Sequence, residues 1–403
     1  METLLDGAEV EWKPVAEIFN LKNGYTPSRS KKEFWEGGTV PWFRMDDIRQ
    51  NVQLLKNSLQ KVSLSAVKGG KLFPANSLIF ATSATVGEHA LISVPYLANQ
   101  RFTNLSLKEK YLGVFISKFL FYYGFLLADW CKKNTTMSSF ASVDMAGFRK
   151  FLFPIPCPEN PDKSLAIQAE IVRILDSFTE LTTELTTELT IRKKQYSHYR
   201  DKQFTFDEGE VEWVPLGEIT VLRRGRVMSK GYLLENAGEY PVYSSQTARN
   251  GVIGRINTFD FDGEFVSWTT DGANAGTVFY RTGKFSITNV CGVIKSNGQS
   301  PLSHKFLYYW LSINAQRHVS SGMGNPKLMS HQVKKIPIPI PCPEDLEKSL
   351  AQQDRVVNIL DKFDTLTTSI SEGLPREIEL RQKQYEYYRD LLLNFPKPHE
   401  KAL

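Results

Sequence analysis

Leucines fall at every fourth position through Thr179-Glu-Leu-Thr-Thr-Glu-Leu-Thr-Thr-Glu-Leu-Thr190, a Thr-Glu-Leu-Thr unit written three times without Pro or Gly. That spacing puts Leu181, Leu185 and Leu189 on one face of a helix. The apolar stripe runs on through Leu165, Ile171, Ile174, Leu175 and Phe178 upstream, and Ile191, Tyr196 and Tyr199 downstream. The pattern predicts a helix from Ser164 to about Phe204, roughly 60 Å long at ~1.5 Å per residue. A rod of this length exceeds what one globular core needs. It reads as a spacer whose stripe packs on another helix.

The same pattern returns later in the chain. Lys163-Ser-Leu-Ala166 recurs as Lys348-Ser-Leu-Ala351, Ile174-Leu-Asp176 as Ile359-Leu-Asp361, and Leu181-Thr-Thr183 as Leu366-Thr-Thr368. Arg192-Lys-Lys-Gln-Tyr196 recurs as Arg381-Gln-Lys-Gln-Tyr385, four residues late. The surplus lies near Gly373 and Pro375, where a kink or interruption is expected. Two similar helices in one chain predict a pair that pack together.

The repeat extends outside the helices. Val10-Glu-Trp-Lys-Pro-Val-Ala-Glu-Ile18 reappears as Val211-Glu-Trp-Val-Pro-Leu-Gly-Glu-Ile219. Each copy opens a segment of short apolar runs with Gly and Asn turns, such as Ser77–Ala81 and Phe265–Trp268, a strand pattern. Each then holds an aromatic helix, Lys118–Tyr123 or Lys305–Trp310, and closes on Pro154-Ile-Pro-Cys-Pro158 or Pro339-Ile-Pro-Cys-Pro343. Proline's fixed φ and missing N–H predict stiff, extended exits there. The expected fold is α+β: two similar β-rich domains at 1–158 and 207–343, joined by long antiparallel helices at 159–206 and 344–403 packed as a coiled coil with pseudo-two-fold symmetry.

Composition narrows the chemistry. The chain has 403 residues, 41% hydrophobic and 23% charged, with net charge +5. This is ordinary for a soluble protein and permits a basic face. Four scattered cysteines form no Cys-x-x-Cys pair, so neither zinc nor a disulfide framework is indicated. Cys157 and Cys342, at equivalent positions, read as small packing residues. The stretch 112–128 is too short and too interrupted by Lys118 to span a membrane, and Met1–Asp6 is no signal peptide, so a cytoplasmic location is expected.

The sequence holds no Asn-Pro-Pro-Tyr, no phosphate-binding Gly-x-x-x-x-Gly-Lys-Ser/Thr, no Gly-x-Ser-x-Gly and no His-Glu-x-x-His. Glu11-Trp-Lys13, with Asp6 upstream, is the one Glu-x-Lys of nuclease type, and its copy at Glu212-Trp-Val214 lacks the lysine. The six histidines (His89, His198, His304, His318, His331, His399) do not cluster in sequence. The chain is therefore expected to carry no catalytic residues, metal or cofactor of its own.

The polar loops do carry the vocabulary of base and phosphate contact: Arg and Lys for guanine and phosphate, Asn and Gln for adenine, Ser and Thr for either. In the first domain the candidates are Lys22, Arg29, Lys31, Lys32, Arg44, Thr82, Ser83, Thr85, Asn99, Gln100 and Arg101, with Lys132, Lys133, Asn134 and the loop on to Ser139. In the second they are Arg223, Arg224, Arg226, Ser244, Ser245, Gln246, Arg249, Asn250, Thr269, Thr270 and Asn274, with Ser320, Ser321, Asn325 and Lys327 in the loop 320–327. Their recurrence at matching places favours double-stranded DNA as the ligand. The competing reading is a coiled-coil adaptor whose globular ends bind proteins.

This layout resembles the specificity subunit of type I restriction–modification enzymes over nearly the whole chain. The resemblance rests on two variable domains, near-copied helical regions, the Pro-Ile-Pro-Cys-Pro segments and the paired Arg-x-Lys-Gln-Tyr-x-x-Tyr-Arg-Asp motifs at Arg192–Asp201 and Arg381–Asp390. It implies a subunit that recognises a split DNA site with an unspecified gap. It also implies two methyltransferase and two restriction subunits as partners, with S-adenosylmethionine, ATP and Mg on those partners. The tyrosine-rich helix ends, Tyr196, Tyr199, Tyr385, Tyr387, Tyr388 and Leu391, are then the expected methyltransferase contact, with helix–helix packing as the alternative use.

Overall fold

A computed structural model describes residues 7, 9–50, 54–137, 141–207, 209–321, 324–369 and 372–397. The chain divides into two compact units, one formed by 1–184 with 379–403 and the other by 185–378. Both units therefore take a share of the long helices. The division on the first helix falls inside the Thr-Glu-Leu-Thr tract.

The first unit begins with a ribbon of β1 (Val10–Pro14). A single helical turn, Val15–Ile18, leads into β2 (Phe19–Asn23), then β3 (Val40–Phe43), β4 (Leu54–Leu55), β5 (Lys61–Val62), β6 (Ser77–Ala81), β7 (His89–Ile92), β8 (Leu97–Ala98) and β9 (Phe102–Leu107). Five of these form a sheet in the order β2-β9-β6-β7-β4, and three form a second sheet, β5-β3-β8. Strand β6 is buried at every position, and its Ile79 and Phe80 lie fully inside. The aromatic helix α1 (Ser117–Lys133) covers this sheet with Phe119, Leu120, Tyr123 and Leu127. A small ribbon of β10 (Thr135–Met137) and β11 (Ala141–Val143) follows, and β12 (Leu152–Pro156) closes the unit by pairing antiparallel with β1.

The proline-rich segment is thus a strand, more confined than the extended exit expected from its composition. Pro154 and Pro156 alternate with Phe153 and Ile155, which are buried. In a two-stranded ribbon alternate N–H groups have no partner strand, so proline sits there without breaking the ladder. Cys157 then turns the chain with φ +49, as Cys342 does with φ +46 in the second unit.

Helix α2 (Pro161–Gln203) is one continuous helix of 43 residues, as the leucine spacing predicts. Its threonines bond back to their own helix. Thr179 donates to Leu175 O at 3.0 Å and Thr183 to Thr179 O at 2.8 Å, which gives each hydroxyl a partner within the helix.

The second unit repeats the plan. Its strands are β13 (Val211–Pro215), β14 (Thr220–Arg224), β15 (Ala237–Tyr243), β16 (Val252–Ile256), β17 (Phe261–Asp262), β18 (Phe265–Thr269), β19 (Val278–Arg281), β20 (Lys284–Ile287), β21 (Cys291–Ser296) and β22 (Pro337–Pro341). The sheets run β14-β21-β18-β19 and β16-β15-β20-β17, and β13 pairs with β22. Helix α3 (His304–Asn314) packs Phe306, Leu307 and Trp310 into the core. Helix α4 (Leu346–Thr368) follows.

The last helix, α5 (Gly373–Leu393), is separate from α4. The interruption expected near Gly373 and Pro375 is present: Gly373 takes φ +79, and a Cβ there would lie 2.5 Å from Thr365 O. Each helical region also has a packing partner in its own unit. Phe178 of α2 stacks on Tyr388 of α5 in the first unit, with ring centroids 5.3 Å apart. Tyr199 of α2 stacks on Phe363 of α4 in the second, at 5.6 Å. Ile167, Ile171 and Leu175 enter the first core, whereas Val356, Val357 and Leu360 enter the second. This anchoring is why the compact units cut across 159–206 and 344–403, regions the sequence alone groups by themselves.

Candidate nucleic-acid interface

In the first unit the strand directions gather the polar loops at one end of the large sheet. Asn23, at the end of β2, faces Thr103, and Ala81, at the end of β6, faces Phe102. The loops after β2, after β6 and before β9 therefore meet. Gly24 N donates to Phe102 O, Tyr25 N to Ala98 O and Asn99 N to Phe43 O, all within 3.0 Å, which brings Arg44 to the same end. Thr82 N donates to Arg101 O at 3.0 Å, and Val143 N to Thr82 O at 3.0 Å, joining the β10–β11 ribbon.

This frame positions most of the first candidate set. Thr82, Ser83, Thr85, Asn99, Gln100 and Arg101 lie on adjoining loops. Thr82 Oγ1 contacts Thr103 Oγ1 at 2.9 Å, Arg101 N donates to Asn99 Oδ1 at 3.0 Å, and Thr26 Oγ1 donates to Gln100 Oε1. Arg44 stays near with its guanidinium over Trp42. Lys132 reaches the loop through its side chain, which passes over Gly87, while Lys133 and Asn134 are exposed at the end of α1. Asn134 spends its amide on Trp130 O. Lys22 is exposed on β2. Arg29, Lys31 and Lys32 form an exposed cationic border, Arg29 over Trp35 and Lys31 over Phe34. Ser138 and Ser139 lie outside the described residues, as do Asp6 and His399.

The second unit builds the same frame. Gly225 N donates to Cys291 O, Thr288 N to Tyr243 O, Thr270 N to Val290 O and Leu328 N to Thr270 O. The last bond repeats the one from Val143 to Thr82. Asn274 Nδ2 donates to Ser245 O at 2.9 Å, bringing the loop 244–251 alongside. Ser244 and Gln246 are half-buried, Gln246 donating to Val252 O at 2.6 Å. Arg249 and Asn250 are exposed. Ser320 and Lys327 pair through their backbones in both directions, with Ser321, Asn325 and Lys327 exposed on that loop.

Five candidates in this unit need correction. Thr269 and Thr270 are 1% and 0% exposed, so neither hydroxyl is presented to a duplex. Both sit where β18 runs beneath the loops, and Thr270 Oγ1 instead donates to Asp271 and accepts from Arg224 at 3.1 Å. Arg224 also donates to Asn289 O, so its guanidinium ties loops together. Arg226 is paired with Asp260 at 3.1 Å. Arg223 lies to one side, over Phe261 in a cleft with Val221, Phe265 and Lys295.

Several framing residues carried no signal in a search for base-reading side chains. Gly24 and Gly225 occupy matching places: a Cβ would lie 2.2 Å from Asn99 O in one and 2.2 Å from Ile287 O in the other. Each follows the second strand of its repeat, and aligning the copies there finds both. Among the described residues no group of His, Cys, Asp and Glu is placed to hold a metal ion. His89 is buried, stacked on Phe80 at 4.8 Å, and burial lowers its pKa to about 4. No helix of the described residues is long and apolar enough to cross a membrane.

The two frames recur with different side chains on them, and the comparisons agree with that plan. The family described as type I restriction modification DNA specificity domain matches residues 8–192 and again 208–380. The chain belongs to the type I restriction–modification DNA specificity family. Among curated relatives, the specificity subunit of the Escherichia coli type I restriction enzyme EcoprrI is 50% identical over 381 residues, covering 92% of each chain. That of Escherichia coli EcoR124I/EcoR124II is 32% identical over 438 residues, covering 99% of this chain and 97% of its own. The fold is shared with a solved type I restriction–modification S subunit from M. genitalium, with TM-score 0.55 and 15% identity over 97% of this chain and 98% of that one. It is shared too with a chain from a structure of type I restriction–modification complex assembly, with TM-score 0.65 and 16% identity over 95% and 97%.

In this specificity-family chain the tyrosine-rich helix ends divide by use. Tyr196 and Tyr385 are half-buried; Tyr385 packs on the first core, and Tyr196 meets Phe363 at 6.2 Å. Tyr199 and Tyr388 lay one face on Phe363 and Phe178. Tyr387 and Leu391 are left at 65% and 46% exposure on α5.

Proposed function

We propose that each unit of this DNA specificity subunit reads one half of a split duplex site, and that α2 fixes the unspecified gap. The observation that carries this reading is the pair of polar loop ends, framed by equivalent backbone bonds and bearing unlike side chains. A shared frame with changed side chains is what two different half-sites require. Exposed Lys22, Arg29, Lys31 and Lys32 would take phosphates, and the loops at 82–85, 99–101, 244–250 and 320–327 the base edges.

The chain supplies specificity, and partner subunits supply the chemistry. Two methyltransferase subunits would methylate adenine with S-adenosylmethionine, and two restriction subunits would use ATP and Mg. Tyr387 and Leu391, exposed and apolar on a helix, suit the methyltransferase contact. The adaptor reading has no comparable support. Methylation-sensitive sequencing of the source genome tests the proposal. A split adenine-methylated motif that disappears on deleting this gene supports it; an unchanged set of methylated motifs overturns it.

A further inference from the structure

Arg281 stands at the end of β19 with 2% of its surface exposed, and among the described residues no carboxylate pairs with it. Its guanidinium lies 3.6 Å from the ring centroid of Tyr243 and 4.3 Å from that of Phe279. Nε donates to Ser267 Oγ at 3.1 Å, and Nη1 donates to Asn250 O at 2.8 Å. Burial lowers the pKa of the group to about 10. Removing a cation from water without an anion is costly, so the groups that hold the guanidinium must offset that cost.

The carbonyl it holds belongs to an unusual piece of backbone. Arg249, Asn250 and Gly251 have φ of +49, +54 and +83, three left-handed residues in succession. For Arg249 and Asn250 this conformation is strained and persists only when the surroundings impose it. The loop is pinned at its other side by Asn274 Nδ2 to Ser245 O, and closed on itself by Ser244 N to Gly251 O at 2.9 Å. Tyr243, which the guanidinium covers, is the residue that leads into it. At the matching place in the first unit the buried residue is Ile92, on the strand pair β6–β7. No equivalent cation is present there.

We infer that Arg281 is a positioning residue for specificity: it presets the loop Ser244–Gly251 in the conformation that reads the second unit's half-site. The planar guanidinium grips Ser267 and Asn250 from two directions while stacked on Tyr243, a task one ammonium cannot perform. The role rests on the proposal that the second unit reads a half-site. It involves no contact between Arg281 and DNA.

The test compares Arg281→Lys, which keeps the charge, and Ser267→Ala, which frees one prong, with the wild-type chain. Each is assembled with its methyltransferase partners. A library of randomised duplexes is methylated with S-adenosylmethionine and sequenced, giving the base preference at every position of both half-sites. Thermal unfolding and the salt dependence of binding are measured on the same complexes. The expected result for Arg281→Lys is a tenfold or larger loss of base preference within one half-site. The other half-site keeps its preferences and the salt slope is unchanged. Ser267→Ala should give a smaller loss, about threefold, in the same half-site. Unaltered preferences in both variants overturn the role of Arg281. So does an equal loss in both half-sites, which marks general destabilisation. If Arg281→Lys fails to assemble, Ser267→Ala alone decides: confined loss supports the role and no loss overturns it. A wild-type complex without base preference at either half-site would instead overturn the reading of the chain as a two-part DNA reader.

Discussion

The Tyr122 hydroxyl donates to Asp176 Oδ1 at 2.7 Å, joining the aromatic helix of the first unit to the central rod. Lys118 Nζ reaches the other oxygen of the same carboxylate at 2.6 Å. The second unit repeats this with Tyr309 and Lys305 on Asp361. A glutamine does likewise in each: Gln168 accepts from Ile116 N and donates to Val114 O, and Gln353 accepts from Ser303 N and donates to Pro301 O. These contacts fix how each α+β unit sits on its own stretch of helix. Burial, with Asp176 adding to it, raises the Tyr122 pKa, so the phenol remains a donor across the working range.

Removing that donor has a measurable consequence. Tyr122→Phe leaves the ring in place and removes one bond to an ionised acceptor. The expected cost is about 1–2 kcal/mol of stability, with a similar cost for Tyr309→Phe. Asp176→Asn should cost more, since Lys118 also loses its anion. Thermal unfolding of the single variants and of the Tyr122–Asp176 double mutant checks this, and a sub-additive double mutant identifies the coupling.

Gly24 and Gly225 allow a sharper experiment, because each supports only its own loop end. A methyl group at either would sit 2.2 Å from a carbonyl oxygen, and main chain must move to admit it. Overpacking of this kind costs about 1–3 kcal/mol. Gly24→Ala is expected to abolish base preference in one half-site and Gly225→Ala in the other. Sequencing of methylated libraries reads both at once; loss of the same half-site in both variants would contradict the assignment of one half-site per unit.

The rod, the order of elements and the double architecture were legible because they depend on periodicity and repetition, which sequence displays directly. The candidate surface was legible only in outline. Residue type identified Asn99, Gln100 and Arg101 correctly as loop residues, but it also selected Thr269 and Thr270, which the strand carries inward. Side-chain chemistry does not show which way a strand end faces. Arg281 escaped notice because a cation inside a β-type run has no local signature. Its meaning comes from Tyr243 and Asn250, distant in sequence and adjacent in space.

His89 makes the first unit sensitive to acid. Its ring is enclosed by Phe80, Phe121 and Phe125, and its nitrogens face Gly87 O and Phe121 O. Burial depresses the pKa from 6.5 to about 4, so the folded state favours the neutral ring. The unfolded chain binds the proton more readily. The contribution is therefore complete above about pH 6.5 and is lost as pH falls toward 4, at roughly 1 kcal/mol per pH unit. His89→Phe removes the titration together with the one N–H that the neutral ring can donate to Gly87 O or Phe121 O. It should lower stability at neutral pH and flatten the decline between pH 6.5 and 4, as followed by thermal unfolding across that range.

Phosphate and base contacts should separate by salt. Lys22, Lys31 and Lys32 are exposed. Replacing one of them by Ala is expected to weaken binding to all duplexes alike. The slope of log K against log salt should fall by about 0.9 for each lost phosphate contact. Gln100→Ala should leave that slope intact and relax the preference at one base pair, by about 1–3 kcal/mol. Binding isotherms at several salt concentrations, on matched and singly substituted duplexes, separate the two classes.

The Thr-Glu-Leu-Thr tract sets the last expectation. Deleting Thr183–Thr186 removes one unit of the repeat, shortening α2 by about 6 Å and changing its phase by roughly 40° beyond a full turn. The leucine stripe survives, because Leu181 is then followed four residues later by the former Leu189. The back-bond that Thr183 makes to Thr179 O can also re-form, with the former Thr187 in its place. The tract holds none of the candidate base-reading residues, so neither half-site should change. The gap should shorten by about two base pairs, at a rise of ~3.4 Å each. Methylation motifs written by the deleted and full-length chains, read side by side, decide it: an altered half-site, or an unaltered gap, would show that the tract does not measure distance on DNA.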